Sequence, residues 1–192
     1  IVTWTRTPVL TALAATTAAE LTGGRFGLGL GTMPREWSEN YHGIPYANPV
    51  GRMRDYIGAV RTALAASPEQ PADHEGPFYR FTGYRPLQPP TQHRVPITIG
   101  VIRPRMAQLA GEIADGVCLD SMNSVAWTQD VLWPAMRAGL EASGRPRAAF
   151  ECGTNVITAI DDDRAVARDM ARRTIAFYLI TPYLHDVMAH HG

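Results

Sequence analysis

The sequence predicts an α/β protein built on parallel strands. Short β-branched runs alternate with longer runs of 3.6-residue period, and the alternation repeats as five strand–helix units. One strand, "RFGLGLG", is unusually rich in glycine, with Gly27, Gly29 and Gly31 falling on a single face. Five units in series fit either a doubly wound sheet or part of an eight-unit barrel.

The elements follow in order. "IVTWT" reads as a strand. Residues 7–21 read as a helix: Thr7 caps, Pro8 suits the first turn, and Leu10, Leu13, Ala14, Thr17 and Leu21 share a face. Gly23 and Gly24 end it. After "RFGLGLG" comes a polar loop over 33–48, then a helix over 51–67 with Met53, Tyr56, Ile57, Val60 and Leu64 on one side. Residues 67–94 form a long irregular excursion with an extended piece near Tyr79. "VPITIGV" is a strand, "RPRMAQLAGEIA" a helix and "DGVCLD" a strand. A helix over 127–143 bends at Pro134 and closes at Gly144. "AAFECGTNVITAI" is the fifth strand, and the acids of "DDDR" cap the helix that follows.

Composition narrows the chemistry. The 192 residues are 45% hydrophobic with zero formal net charge, enough for one core and without the basic excess of a nucleic-acid or membrane-surface binder. No apolar run reaches the roughly 18 to 20 residues of a membrane span. All 18 basic residues are arginine, so Schiff-base and lysine general-base chemistry are excluded. Cys118 and Cys152 read as buried free thiols. The chain opens at Ile1 inside a strand-like run, which suggests an interior portion of something longer.

The glycines do not make a dinucleotide loop. From Gly27 the sixth position of G-x-G-x-x-G is Thr32, and from Gly29 it is Pro34. Without lysine a P-loop is excluded as well. Strand periodicity puts Phe26, Leu28, Leu30 and Thr32 on one face and bare backbone on the other. Tight packing is the expectation for Gly27 and Gly29, and close approach of a ligand for Gly31 and Thr32. "GVIRPRM" is a strand-to-helix junction whose free N–H groups, with Arg103 and Arg105, suit an anion. Asp115 is expected to be structural, and the histidines of "HDVMAHHG" have the wrong spacing for a helical zinc pair.

The stretches "TRTPVLTALAATTAAELTGGRFGLGLGT", "PITIGVIRPRMAQLAGEIADGV" and "RRTIAFYLITPYLHDVMAHHG" resemble the bacterial-luciferase-like flavin and deazaflavin oxidoreductases, in the actinobacterial branch that uses coenzyme F420. The resemblance implies a TIM-like (β/α)8 barrel, of which 1–192 would be one partial domain carrying strands three to seven. It implies an oxidoreductase or monooxygenase passing hydride between a reduced ring and a small organic substrate. The cofactor would be coenzyme F420, with FMN as the alternative. It maps cofactor contacts onto Trp4, Thr5, Arg6, Gly31, Thr32, Gly100, Val101, Arg103, Arg105 and Met106. His42, His74 and Asp120 would face substrate, no metal is expected, and a cytoplasmic homodimer follows from the family. A non-prolyl cis peptide is expected around Thr3, Trp4 or Thr5. Two other readings stay open: a degenerate flavin binder without turnover, and a metal-dependent barrel lyase or hydrolase.

Overall fold

The computed structural model describes residues 1–180 and 184–190. The chain folds as two compact units, Ile1–Ile99 with Ile113–Asp115, and Gly100–Glu112 with Gly116–Gly192.

In the first unit the opening stretch is only briefly extended. Val2 bridges Gly31 in parallel, with the Gly31 N–H donating to the Ile1 carbonyl at 2.9 Å and the Thr3 N–H to the Gly31 carbonyl at 3.1 Å. Thr3–Thr5 then curl into a 3-10 turn that buries Thr3 and Trp4. The expected cis peptide is absent: every described peptide bond is trans. The turn already bends the chain at this point, without a cis bond.

Helix α1, Pro8–Leu21, starts where the sequence says, with the Thr7 hydroxyl accepting from the Leu10 N–H at 3.3 Å. Its inner face is a correction. Pro8, Thr11, Ala12, Ala15 and Ala19 are buried, whereas Leu10, Leu13 and Leu21 stand exposed. α1 packs on α3, Pro49–Ala65. Small residues let the two axes come close, and the Thr11 hydroxyl meets the Tyr56 hydroxyl at 2.5 Å across the seam. Burial pushes the Tyr56 hydroxyl above its ordinary pKa and so favours its neutral form, against the smaller, opposing effect of the Thr11 hydrogen bond.

Strand β1, Leu28–Leu30, pairs in parallel with β4, Ile97–Val101, through Leu28 with Ile97 and Leu30 with Ile99. Those four side chains are nearly fully buried. A Cβ on Gly27 or Gly29 would meet its neighbours at 3.9 or 3.7 Å, ordinary contact distances, so packing alone does not demand glycine there. The loop expected over 33–48 contains a helix, α2, Arg35–His42, which ends at Gly43 with φ 64°. The excursion over 67–94 contains a hairpin, β2 (Ala72–Glu75) with β3 (Arg80–Tyr84).

Asp115 ties the first unit's chain ends together. Its N–H donates to the Ile97 carbonyl and its carboxylate accepts from the Ile97 N–H, both at 2.8 Å. Arg94 and Arg61 pair with the same carboxylate. Its role is structural.

In the second unit, α4 (Pro104–Ile113) leads to β5 (Gly116–Leu119), which pairs in parallel with β6 (Glu151–Thr154). Between them run α5 (Val125–Trp127), a π-helical turn over Thr128–Leu132 and α6 (Trp133–Ala142). The widened turn precedes Pro134, whose ring excludes the carbonyl four residues back and donates nothing to it. α4 meets α6 through two glycines. A Cβ on Gly111 would sit 2.2 Å from the Met136 carbonyl oxygen, and one on Gly139 would sit 2.1 Å from that of Gln108. The fifth strand is shorter than expected, and β6 is exposed along its length, as are Val156 and Ile160 beyond it. Cys152 on β6 is exposed and Cys118 half-buried, so the thiols are free but not both buried. α7 (Arg164–Leu179) and α8 (His185–Ala189) complete the described chain.

Gly139→Ala is expected to destabilise the protein by about 1–3 kcal/mol, because backbone on both sides blocks the added methyl. Chemical denaturation would show this as a lower midpoint at an unchanged slope.

Candidate functional site at the strand ends

In the first unit the C-terminal end of β1 and the turn after Val2 carry five of the ten expected cofactor contacts: Trp4, Thr5, Arg6, Gly31 and Thr32. Trp4 is 5% exposed, and its indole N–H has no acceptor among the described residues. Its ring stacks on Tyr46, centroids 5.1 Å apart and planes 18° from parallel. The Arg52 guanidinium lies 5.1 Å from the Trp4 ring centroid, 5.3 Å from Tyr79 and 5.9 Å from Phe78. Its Nε–H donates to the Tyr79 hydroxyl at 2.9 Å. Each such cation–π contact stabilises by about 0.5–1 kcal/mol at exposed sites and more when desolvated.

Gly31 ends this strand with open space. A Cβ there would meet nothing within 4 Å, and Thr32 beside it is half-buried. Thr5 and Arg6 are exposed next to Trp4 in sequence. The unit therefore presents a strand end without a side chain on one face and an indole donor without an acceptor among the described residues. That suits a flat ring with a polar rim.

The two histidines expected to face substrate part company. His42 is the exposed last residue of α2. His74 is held inside: its Nε2 lies 2.7 Å from Oδ1 of Asp55, a carboxylate only 8% exposed. Asp55 Oδ2 also accepts from the Phe78 N–H at 2.7 Å and the Tyr79 N–H at 2.9 Å. A carboxylate is acceptor-only, so the ring donates and its Nε2 is taken. The clasp pins the β2–β3 hairpin to α3 and lines one side of a cleft of about 490 Å³ with Asn48, Gly51, His74 and Phe78. Gly76 is required beside it, since a Cβ would fall on the Asp55 carboxylate. Neither Asp55 nor Arg52 stood out in the sequence.

In the second unit a strand-to-helix junction follows β4, and two of the N–H groups at its helix start are taken up within the turn. Gly100 is exposed and Val101 buried. The Arg103 carbonyl accepts from the N–H groups of Met106 and Ala107 at 3.2 and 3.1 Å, and Pro104 opens α4. Arg105 is exposed. Met106 is 8% exposed on the helix's inner face, so its side chain is core. The loop after β5 clamps this junction: Trp127 Nε1–H donates to the Ile102 carbonyl at 3.0 Å and Asn123 Nδ2–H to that of Val101 at 3.3 Å. The Asn123 Oδ1 is buried without a donor among the described residues. Asp120 spends Oδ1 on the Met122 N–H at 2.9 Å, a turn contact.

Of the terminal histidines, His185 is exposed and His190 lies 3.2 Å from Asp130, while His191 falls outside the described residues. Among the described residues no three His, Cys, Asp or Glu side chains group as metal ligands would. No described helix is long and apolar enough to cross a membrane.

Asp55→Ala should cost on the order of 3 kcal/mol, since it strands two backbone N–H groups and a buried imidazole. Asp55→Asn, which keeps one acceptor, should cost less. Thermal unfolding of the two variants checks the order.

The family described as luciferase-like monooxygenase matches residues 1–192. An uncharacterized protein of Mycobacterium tuberculosis is 34% identical over 198 residues, covering 100% of this chain and 58% of its own length. A 5,10-methylenetetrahydromethanopterin reductase of Archaeoglobus fulgidus is 31% identical over 185 residues, covering 96% of this chain and 53% of the relative. The chain thus spans little more than half the length of these relatives. Its fold overlays the coenzyme F420 dependent tetrahydromethanopterin reductase of Methanopyrus kandleri with a TM-score of 0.77 at 22% identity, covering 91% of this chain and 53% of that one. In sequence and in fold, this chain belongs to the luciferase-like monooxygenase family.

Proposed function

We propose that the chain carries cofactor-binding elements of a deazaflavin- or flavin-dependent oxidoreductase, with coenzyme F420 the first choice and FMN the alternative. A relative 33% identical over 196 residues, a putative coenzyme F420-dependent oxidoreductase of Mycobacterium tuberculosis, supports the deazaflavin. The observation that carries the reading is the open strand end: a Cβ on Gly31 would meet nothing within 4 Å, in the same unit as the indole N–H of Trp4, buried without an acceptor among the described residues.

A bound deazaflavin or flavin supplies hydride transfer to or from a small organic molecule. The chain's residues bind and orient. In the first unit, Gly31 and Thr32 offer backbone against which a ring can lie, with Trp4, Thr5 and Arg6 at its border. In the second unit, the exposed Gly100, the N-terminus of α4 and the side chains of Arg103 and Arg105 offer donors to a phosphate. Asn123 adds a buried acceptor that a ring or amide N–H would satisfy. Burial of Trp4, Val101 and Met106 keeps the backbone beneath these contacts rigid.

Fluorescence titration with coenzyme F420 and FMN side by side tests the reading. Binding of either supports it, and binding of the deazaflavin alone selects the reductase chemistry. Failure of both on a folded protein removes it. Gly31→Ala is expected to weaken the cofactor about tenfold or more, because its methyl stands where the ring would lie, while leaving stability within about 1 kcal/mol, since a Cβ there meets nothing within 4 Å.

A further inference from the structure

Arg52 is a half-buried cation with no carboxylate partner among the described residues. One of its five N–H donors is used, by the neutral Tyr79 hydroxyl. The other four lie on the terminal nitrogens, for which the described residues provide no acceptor. Three aromatic rings surround the guanidinium and strip its hydration. Trp4, one of those rings, carries a second unanswered donor, its buried indole N–H. The nearest buried carboxylate on the same helix, Asp55, is committed to His74, Phe78 and Tyr79. The cluster thus has donors and positive charge in excess.

We propose that Arg52 receives an anionic group, a carboxylate or phosphate monoester, of the small molecule this protein binds. The planar fork of the guanidinium matches two oxygens of such a group, and the aromatic walls hold the fork in one orientation. Partial burial strengthens the pair relative to water. Arg52 sits in the second turn of α3, whose aligned N-terminal peptide groups add to the attraction. The inference deepens the oxidoreductase reading and rests on it only for where the anion comes from.

Benzoate and inorganic phosphate serve as ring-cofactor-free probes on the full chain. Proton–nitrogen spectra follow the Trp4 indole N–H, assigned with Trp4→Phe, and the Arg52 Nε–H. A saturable shift of both signals by either probe is expected, weakened about tenfold by Arg52→Gln and less by Arg52→Lys, which keeps the charge and loses the fork. Should Arg52→Gln fail to fold, the weakening in Arg52→Lys carries the test. Absence of any shift up to about 100 mM, well beyond the roughly millimolar Kd of a lone charge-assisted contact, overturns the proposal. So does an equal affinity in the folded Arg52 variants. Adding saturating coenzyme F420 separates the sources. Loss of the probe assigns the anion to the cofactor's own phosphate-bearing tail, and retention assigns it to the substrate. Because the probes carry no flavin-like ring, their binding is read whether or not either cofactor binds.

Discussion

The buried carboxylate of Asp55 is the contact on which the first unit's strand-end cluster depends. It accepts three hydrogen bonds from one hairpin: from the ring of His74 and from the backbones of Phe78 and Tyr79. Tyr79 then holds Arg52, which lies over Trp4, which stacks on Tyr46. One helix residue so fixes the hairpin, and the hairpin fixes a cation against the turn that follows Val2. A carboxylate this far from water is stabilised by the three donors turned toward it.

Elsewhere the chain gains order from what it leaves out. Alanines on α1 and glycines on α4 and α6 bring helices to distances that larger side chains would forbid. Close approach trades side-chain contact area for backbone contact, and it explains why the leucines of α1 end on the outside. Gly31 applies the same device without a partner. The space that its missing Cβ leaves is open, whereas backbone fills that of Gly111 and Gly139.

Helices α3 and α4 and strands β1, β4 and β5 were legible because their apolar spacing coincides with burial. Helix α1 and helix α7, which buries no residue, were legible from their caps, Thr7 and Asp163. Helix α2 was not, since its residues are polar nearly throughout and its signals, Pro34 before it and Gly43 after it, also mark loops. The α1 face was misread because leucines outweigh alanines in any hydropathy pattern, while close helix packing favours the alanines. Asp55 and Arg52 escaped notice for a related reason. A charge on a helix reads as solvated, and only the fold shows that one is buried with three donors and the other enclosed by rings. His74 drew attention as a loop histidine, yet its Nε2 is spent on Asp55.

If Asp55 positions the cluster, the Arg52 Nε–H should be a resolved, slowly exchanging resonance in the wild-type protein. In Asp55→Ala, which removes the acceptor of both amides, it should broaden or vanish, together with the protection of the Phe78 and Tyr79 amides. An unchanged Arg52 Nε–H in a folded Asp55→Ala protein would contradict the account, since the cation would then be held without the hairpin's anchor.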